Sequence, residues 1–165
     1  MEINQHSSKE YFKLISIIHL YLVLGIVLFG LVVSLFIIDF RQVDTQSELA
    51  KLFVYLVPGL VIVGIVAGNM IFRTKLNALK ENTDLKSKMI GYRESLILCY
   101  MVFEAPAMFA LVAVFMTNDI NFTVYAVLMV IILAIKRPTT KSAIADLQLS
   151  QQEVAFLEDP DSIIM

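Results

Sequence analysis

Glu104 is the one acidic or basic residue in the middle of any of this chain's four long apolar runs. The stretch around it reads Leu98-Cys99-Tyr100-Met101-Val102-Phe103-Glu104-Ala105-Pro106-Ala107-Met108-Phe109. An ionisable side chain at bilayer depth is costly, so its presence marks a functional candidate. On a helix Tyr100 lies one turn before Glu104 on the same face, which makes its hydroxyl the nearest polar partner in sequence. Hydrocarbon disfavours a charged carboxylate, and a neutral, reversibly protonated acid is what a proton relay needs. Pro106 has no N–H, so the carbonyl of Val102 loses its helical partner and a kink is expected one turn from the acid. The same residues therefore admit a second chemistry, in which neutral Glu104 is a hydrogen-bonding repair of that kink.

The element that must carry them is a membrane-crossing helix. The chain has 165 residues, 58% of them hydrophobic and 17% charged, with a mean hydropathy of +0.77. That composition belongs to the membrane class and not to soluble domains. Crossing about 30 Å of hydrocarbon takes roughly 20 helical residues. Apolar runs at about 14–38, 52–72 and 96–116 qualify outright, while a shorter one at about 120–135 needs its flanks or a locally thinned bilayer. The expected fold is all-α: a four-span integral membrane helix bundle over residues 1–138, with a helical hairpin extension and a short amphipathic acidic tail at 139–165.

Charge placement gives the orientation. Four spans put Lys9, Lys13, six cations between Arg73 and Arg93, and Lys136, Arg137 and Lys141 on one side, with only Arg41 and Lys51 on the other. Such an excess predicts cytoplasmic N- and C-termini in a bacterial inner membrane. The first run is too long, and lacks the small-residue cleavage pattern, for a removable signal peptide.

Between the second and third runs, Glu81-Asn82-Thr83-Asp84 supplies turn and N-cap chemistry, with Thr83 or Asp84 as the cap. In the tail, Ser150-Gln151-Gln152-Glu153 has the form of a capping box and predicts a short helix from Ser150. The tail's acids repel anionic lipid and attract the cationic hairpin, so packing on the hairpin or on a partner protein is expected.

The second run carries Gly64-x-x-x-Gly68 followed by Asn69. Small residues at this spacing let two helices approach closely, and Asn69 can hydrogen-bond across a helix pair. Cys99, the single cysteine, excludes an internal disulfide and reads as an apolar packing residue. His6 and His19 alone give no metal site, and no cofactor is expected. Paired helical histidines, a phosphate-binding glycine loop and a serine elbow are all absent, so no catalytic residue is assigned. A net charge of −2 and cations distributed by topology imply no nucleic-acid partner.

Glu104-Ala105-Pro106-Ala107-Met108-Phe109-Ala110-Leu111-Val112, following a small-residue helix and a polar turn, resembles the hairpin of rotary ATPase proteolipid (c) subunits. The resemblance covers residues 52–116 and implies an ion-carrying midmembrane carboxylate in an oligomer. The whole chain also resembles small four-span bacterial inner-membrane proteins. The leading expectation is a non-enzymatic accessory, scaffold or assembly subunit, with membrane lipid and either further copies of itself or a membrane protein as partners. The alternative is a proton- or cation-translocating subunit built on Glu104, and a third reading is a bundle that binds lipid or a small hydrophobe.

Overall fold

The structure is a computed structural model that describes residues 7–40 and 48–164. Arg41 and most of the connection from Asp39 to Lys51 lie outside the described residues, as does His6. Three helices of equal length come first: α1 (Ser8–Phe40), α2 (Glu48–Lys80) and α3 (Leu85–Thr117), each of 33 residues. A 3-10 turn (Ile120–Phe122) leads into α4 (Thr123–Ile135), followed by α5 (Thr140–Leu147) and α6 (Gln151–Glu158). No strand occurs among the described residues, whose only extended pairing is an isolated bridge between Ser7 and Ile163.

At 1.5 Å per residue, α1, α2 and α3 are each about 50 Å long and overrun a bilayer's hydrocarbon by about 20 Å. All three are long and apolar enough to cross a membrane. The fourth apolar run behaves differently. Its regular helix has 13 residues, about 20 Å, which is short of the hydrocarbon thickness. The preceding 3-10 turn extends the helical stretch to Ile120–Ile135, and α5 starts afresh from a cap at Thr139, so the run is long enough to cross only if α5 is counted with it as one broken span.

The ends follow local chemistry. Asp84 starts α3 by accepting from the backbone N–H of Ser87 at 3.0 Å and from its hydroxyl at 2.7 Å. Those bonds hold its carboxyl below the ordinary carboxylate range. Thr139 and Ser142 form a capping box on α5, and Ser150 and Glu153 form the expected one on α6. At the end of α3, Asn118 adopts a left-handed backbone with φ 56°, a conformation asparagine tolerates better than most residues. The chain reverses there into the 3-10 turn, capped by Asp119.

Two compact units result. One contains Met1–Leu20, Asn69–Cys99 and Arg137–Met165; the other contains Tyr21–Gly68 and Tyr100–Lys136. Ten of the thirteen Lys and Arg residues fall in the first, which makes it the polar unit. The residues 139–165 do not stand apart from it. They fold together with the ends of the long helices.

In the polar unit, Tyr11, Ile15, Met89, Tyr92, Leu147 and Leu157 are buried. The Tyr11 hydroxyl donates to the Met89 carbonyl at 2.6 Å, joining α1 to α3. The apolar unit buries Phe53, Phe103, Ala107, Leu111, Met129 and Leu133. Its outer surface is apolar as well, with Leu28, Leu31 and Leu35 of α1 and Tyr55, Ile62, Val63 and Val66 of α2 exposed. Soluble monomers rarely expose contiguous apolar faces of this extent, whereas hydrocarbon solvates them.

Candidate functional site

The glycines of α2 fix how it meets α3. A Cβ at Gly64 would stand 2.8 Å from Cγ of Pro106 and 3.4 Å from the carbonyl oxygen of Val102. One glycine thus accommodates both the proline ring and the carbonyl that the proline leaves without a helical donor. Backbone Cα–H groups brought this close to a carbonyl make weak but favourable contacts. One turn on, a Cβ at Gly68 would meet the Phe103 ring at 2.6, 3.0 and 3.1 Å. The Gly64-x-x-x-Gly68 face is therefore covered by α3 of the same chain. α3 continues as helix through Pro106.

Glu104 is not part of that contact. It is half-buried, and its neighbours Met101 and Ala105 are exposed. Among the described residues its carboxyl has no hydrogen-bond or ion-pair partner. Tyr100, expected as its companion, is fully buried and donates its hydroxyl to the backbone carbonyl of Lys136 at 2.9 Å. That bond satisfies a carbonyl at the end of α4, which a helix terminus otherwise leaves open. Lys136 also places its ammonium 5.5 Å from the centre of the Phe103 ring, a cation–π geometry. Of the sequence candidates, the structure brings Pro106 and Gly64 together and sets Gly68 under Phe103. Tyr100 goes to Lys136 instead of Glu104. Asn69 is half-buried in the polar unit, and Cys99, the single cysteine, is buried.

Sequence reasoning missed the parts played by Phe103 and Lys136. Lys136 was visible as the first cation after the fourth run, but nothing in its spacing pointed to Tyr100 or Phe103.

A second cluster lies in the polar unit. Lys88 on α3 donates to Glu153 of α6 at 2.7 Å, with side chains only 10% and 17% exposed. The lysine, aided by Ser150, holds the Glu153 carboxyl below its ordinary range. Tyr92, one helical turn along α3, donates to Asp146 of α5 at 3.1 Å. The N-terminal end of α1 completes the arrangement, because the Ser8 hydroxyl donates to the Leu157 carbonyl at 2.6 Å and its N–H to the Ser162 carbonyl at 3.0 Å. The acidic tail is thus bound by the hairpin, with specific partners that opposite charge alone did not identify.

Among the described residues no group of three or more His, Cys, Asp or Glu could hold a metal ion, and every fully enclosed side-chain nitrogen or oxygen has a hydrogen-bond partner. The two clusters hold helices in place, and in the second the Tyr92 hydroxyl also lies 3.4 Å from the Ser142 hydroxyl. Comparison with protein-family models, with curated proteins and with solved structures finds no match.

Proposed function

We propose that this chain is a non-enzymatic integral protein of the bacterial inner membrane that serves as an accessory, scaffold or assembly subunit of a membrane complex. In this reading α1 to α4 form a four-span bundle, the short fourth crossing being met by local thinning of the bilayer. The polar unit, with both termini, stands in the cytoplasm, as the distribution of cations favours. The observation that carries the reading is the tail's firm attachment to the ends of α1 and α3. A small membrane chain thereby maintains a structured, charged surface outside its apolar segments, and a surface of that kind is suited to a protein partner.

The test is gentle extraction into polymer nanodiscs, followed by lysine-directed crosslinking and mass spectrometry. Crosslinks from the exposed lysines Lys9, Lys13, Lys75, Lys86 and Lys141 to a second protein, or to a second copy, are expected. A lone monomer that yields only internal crosslinks would remove the basis of the proposal.

A second reading is favoured by one observation, the half-buried and unpartnered carboxyl of Glu104. A proton- or cation-translocating subunit needs an acid that is open to exchange and not locked into its own bundle. In this version an oligomer or a membrane partner completes the path. Glu104→Gln protein in liposomes would then lose ion flux, and full retention of flux would eliminate the reading.

A further inference from the structure

The apolar unit contains an open groove of about 250 Å³ between α1 and α4, lined from Ile26 to Ser34 on one side and from Thr123 to Ile131 on the other, with Leu111 of α3 at its base. We infer that this groove is a binding site for one acyl chain of a phospholipid, taken from the leaflet that borders the turn between α3 and α4.

Three features choose the occupant. The first is direction. Gly30 and Phe36 of α1 meet Leu111 and Phe115 of α3 in the same order, so α1 and α3 run parallel. α4 returns antiparallel to α3 through the tight turn, so Ser34 and Thr123 stand at the same end of the groove. The remaining lining residues are aliphatic, apart from Gly30. The groove therefore has one hydroxyl-bearing end and one hydrocarbon end, which is the polarity of an amphiphile and not that of an apolar helix.

The second feature is length. Nine residues of helix on each wall, eight rises from first to last, give about 12 Å, close to the depth of one leaflet, half of about 30 Å. A single acyl chain fits, while a transmembrane helix of a partner would need the full thickness.

The third is chemistry at the polar end. The Ser34 hydroxyl donates to the Gly30 carbonyl at 2.8 Å, so its oxygen remains an acceptor. The Thr123 hydroxyl, at the start of α4, is in place to donate to an ester carbonyl of the glycerol region. A Cβ at Gly30 would stand in ordinary contact with Leu111, at 3.6 Å, so a larger side chain there would occupy the floor.

This inference rests on the membrane reading and not on the accessory-subunit reading. The test reconstitutes the full chain in vesicles of phosphatidylethanolamine and phosphatidylglycerol, doped with a phosphatidylethanolamine that carries a photoactivatable diazirine on its acyl chain. Adducts are mapped by mass spectrometry. Several-fold enrichment on Ile26–Ser34 and Thr123–Ile131 over the exposed α2 face at Ile62, Val63 and Val66 is expected. Val127→Trp, at an exposed lining position, should reduce groove adducts several-fold and leave α2 adducts unchanged. Gly30→Leu should do the same from the floor, and Val63→Trp should not. Equal labelling of the groove and the α2 face, or groove labelling that neither filling variant lowers, overturns the site and leaves the membrane reading standing. Absence of adducts on all of these faces overturns both.

Discussion

Replacing Gly68 by Ala should destabilise the protein, although alanine is the better helix former. The structure sets the size of the effect. A Cβ at Gly68 would lie 2.6 Å from the nearest Phe103 ring atom, about 0.8 Å inside an ordinary van der Waals contact of about 3.4 Å. The ring cannot swing into solvent, since Phe103 is fully buried and lies under the Lys136 ammonium. Overpacking of this kind costs about 1–3 kcal/mol, while Ala in place of Gly returns about 1 kcal/mol of helix propensity. The expected net loss is up to about 2 kcal/mol, and about 1–3 kcal/mol relative to a Gly→Ala change that meets no clash. Gly59, on the same helix, has nothing within 4 Å of its would-be Cβ, so Gly59→Ala should be neutral or mildly stabilising. Unfolding in mixed micelles by titration with sodium dodecyl sulfate, followed by far-ultraviolet circular dichroism, measures both variants on one scale. Phe103→Leu in the Gly68→Ala background should recover part of the loss. If Gly68→Ala is as stable as Gly59→Ala, the close approach of α2 to Phe103 is refuted.

The tail latch yields two further predictions. Lys88→Met removes a charge-assisted hydrogen bond worth about 1.5–3 kcal/mol when well shielded, so hydrogen exchange across α6 should quicken while exchange in α4 stays the same; unchanged exchange in α6 would refute a contribution from the ion pair. Because the folded-state pKa of Glu153 is depressed, its stabilisation is present above the ordinary glutamate value of about 4.3 and is lost as pH falls through the lower folded value. Acidification from pH 6 to 3 should therefore loosen α6 in the natural protein and have a smaller effect in Lys88→Met, as read by limited proteolysis with pepsin at the acidic points; equal sensitivity would refute the linkage. Tyr92→Phe deletes the bond to Asp146 and should weaken the docking of α5 by about 1 kcal/mol, seen as faster exchange over Thr140–Leu147.

Much of the local structure was legible in the order of the residues. Helices form over the apolar runs because their backbone groups are satisfied internally and their side chains suit hydrocarbon. The Asp84 start of α3 and the Ser150 start of α6 follow from caps within three or four positions of the groups they bind. The apolar count also marked Glu104 as exceptional and the fourth run as short. All of these depend on neighbours close in sequence, or on composition summed over a window.

Partner choice at long range was a different matter, and only the tertiary structure decided it. Helical spacing places Tyr100 and Glu104 on one face, yet the Tyr100 hydroxyl goes to Lys136, 36 positions away, because α4 returns beside α3 and presents an open terminal carbonyl. Spacing likewise marked Gly64 and Gly68 as a close-packing pair without saying against what. The fold puts Pro106 and Phe103 there, so the pair is occupied within the chain. The opposite charges of tail and hairpin predicted attraction in general, whereas the selection of Lys88 for Glu153 and Tyr92 for Asp146 required the docking of α5 and α6. The physical reason is one of range. Propensity, capping and hydrophobicity act over a few residues and can be read along the chain, but side-chain complementarity between helices depends on their rotation and register, which are fixed only when all of them pack together.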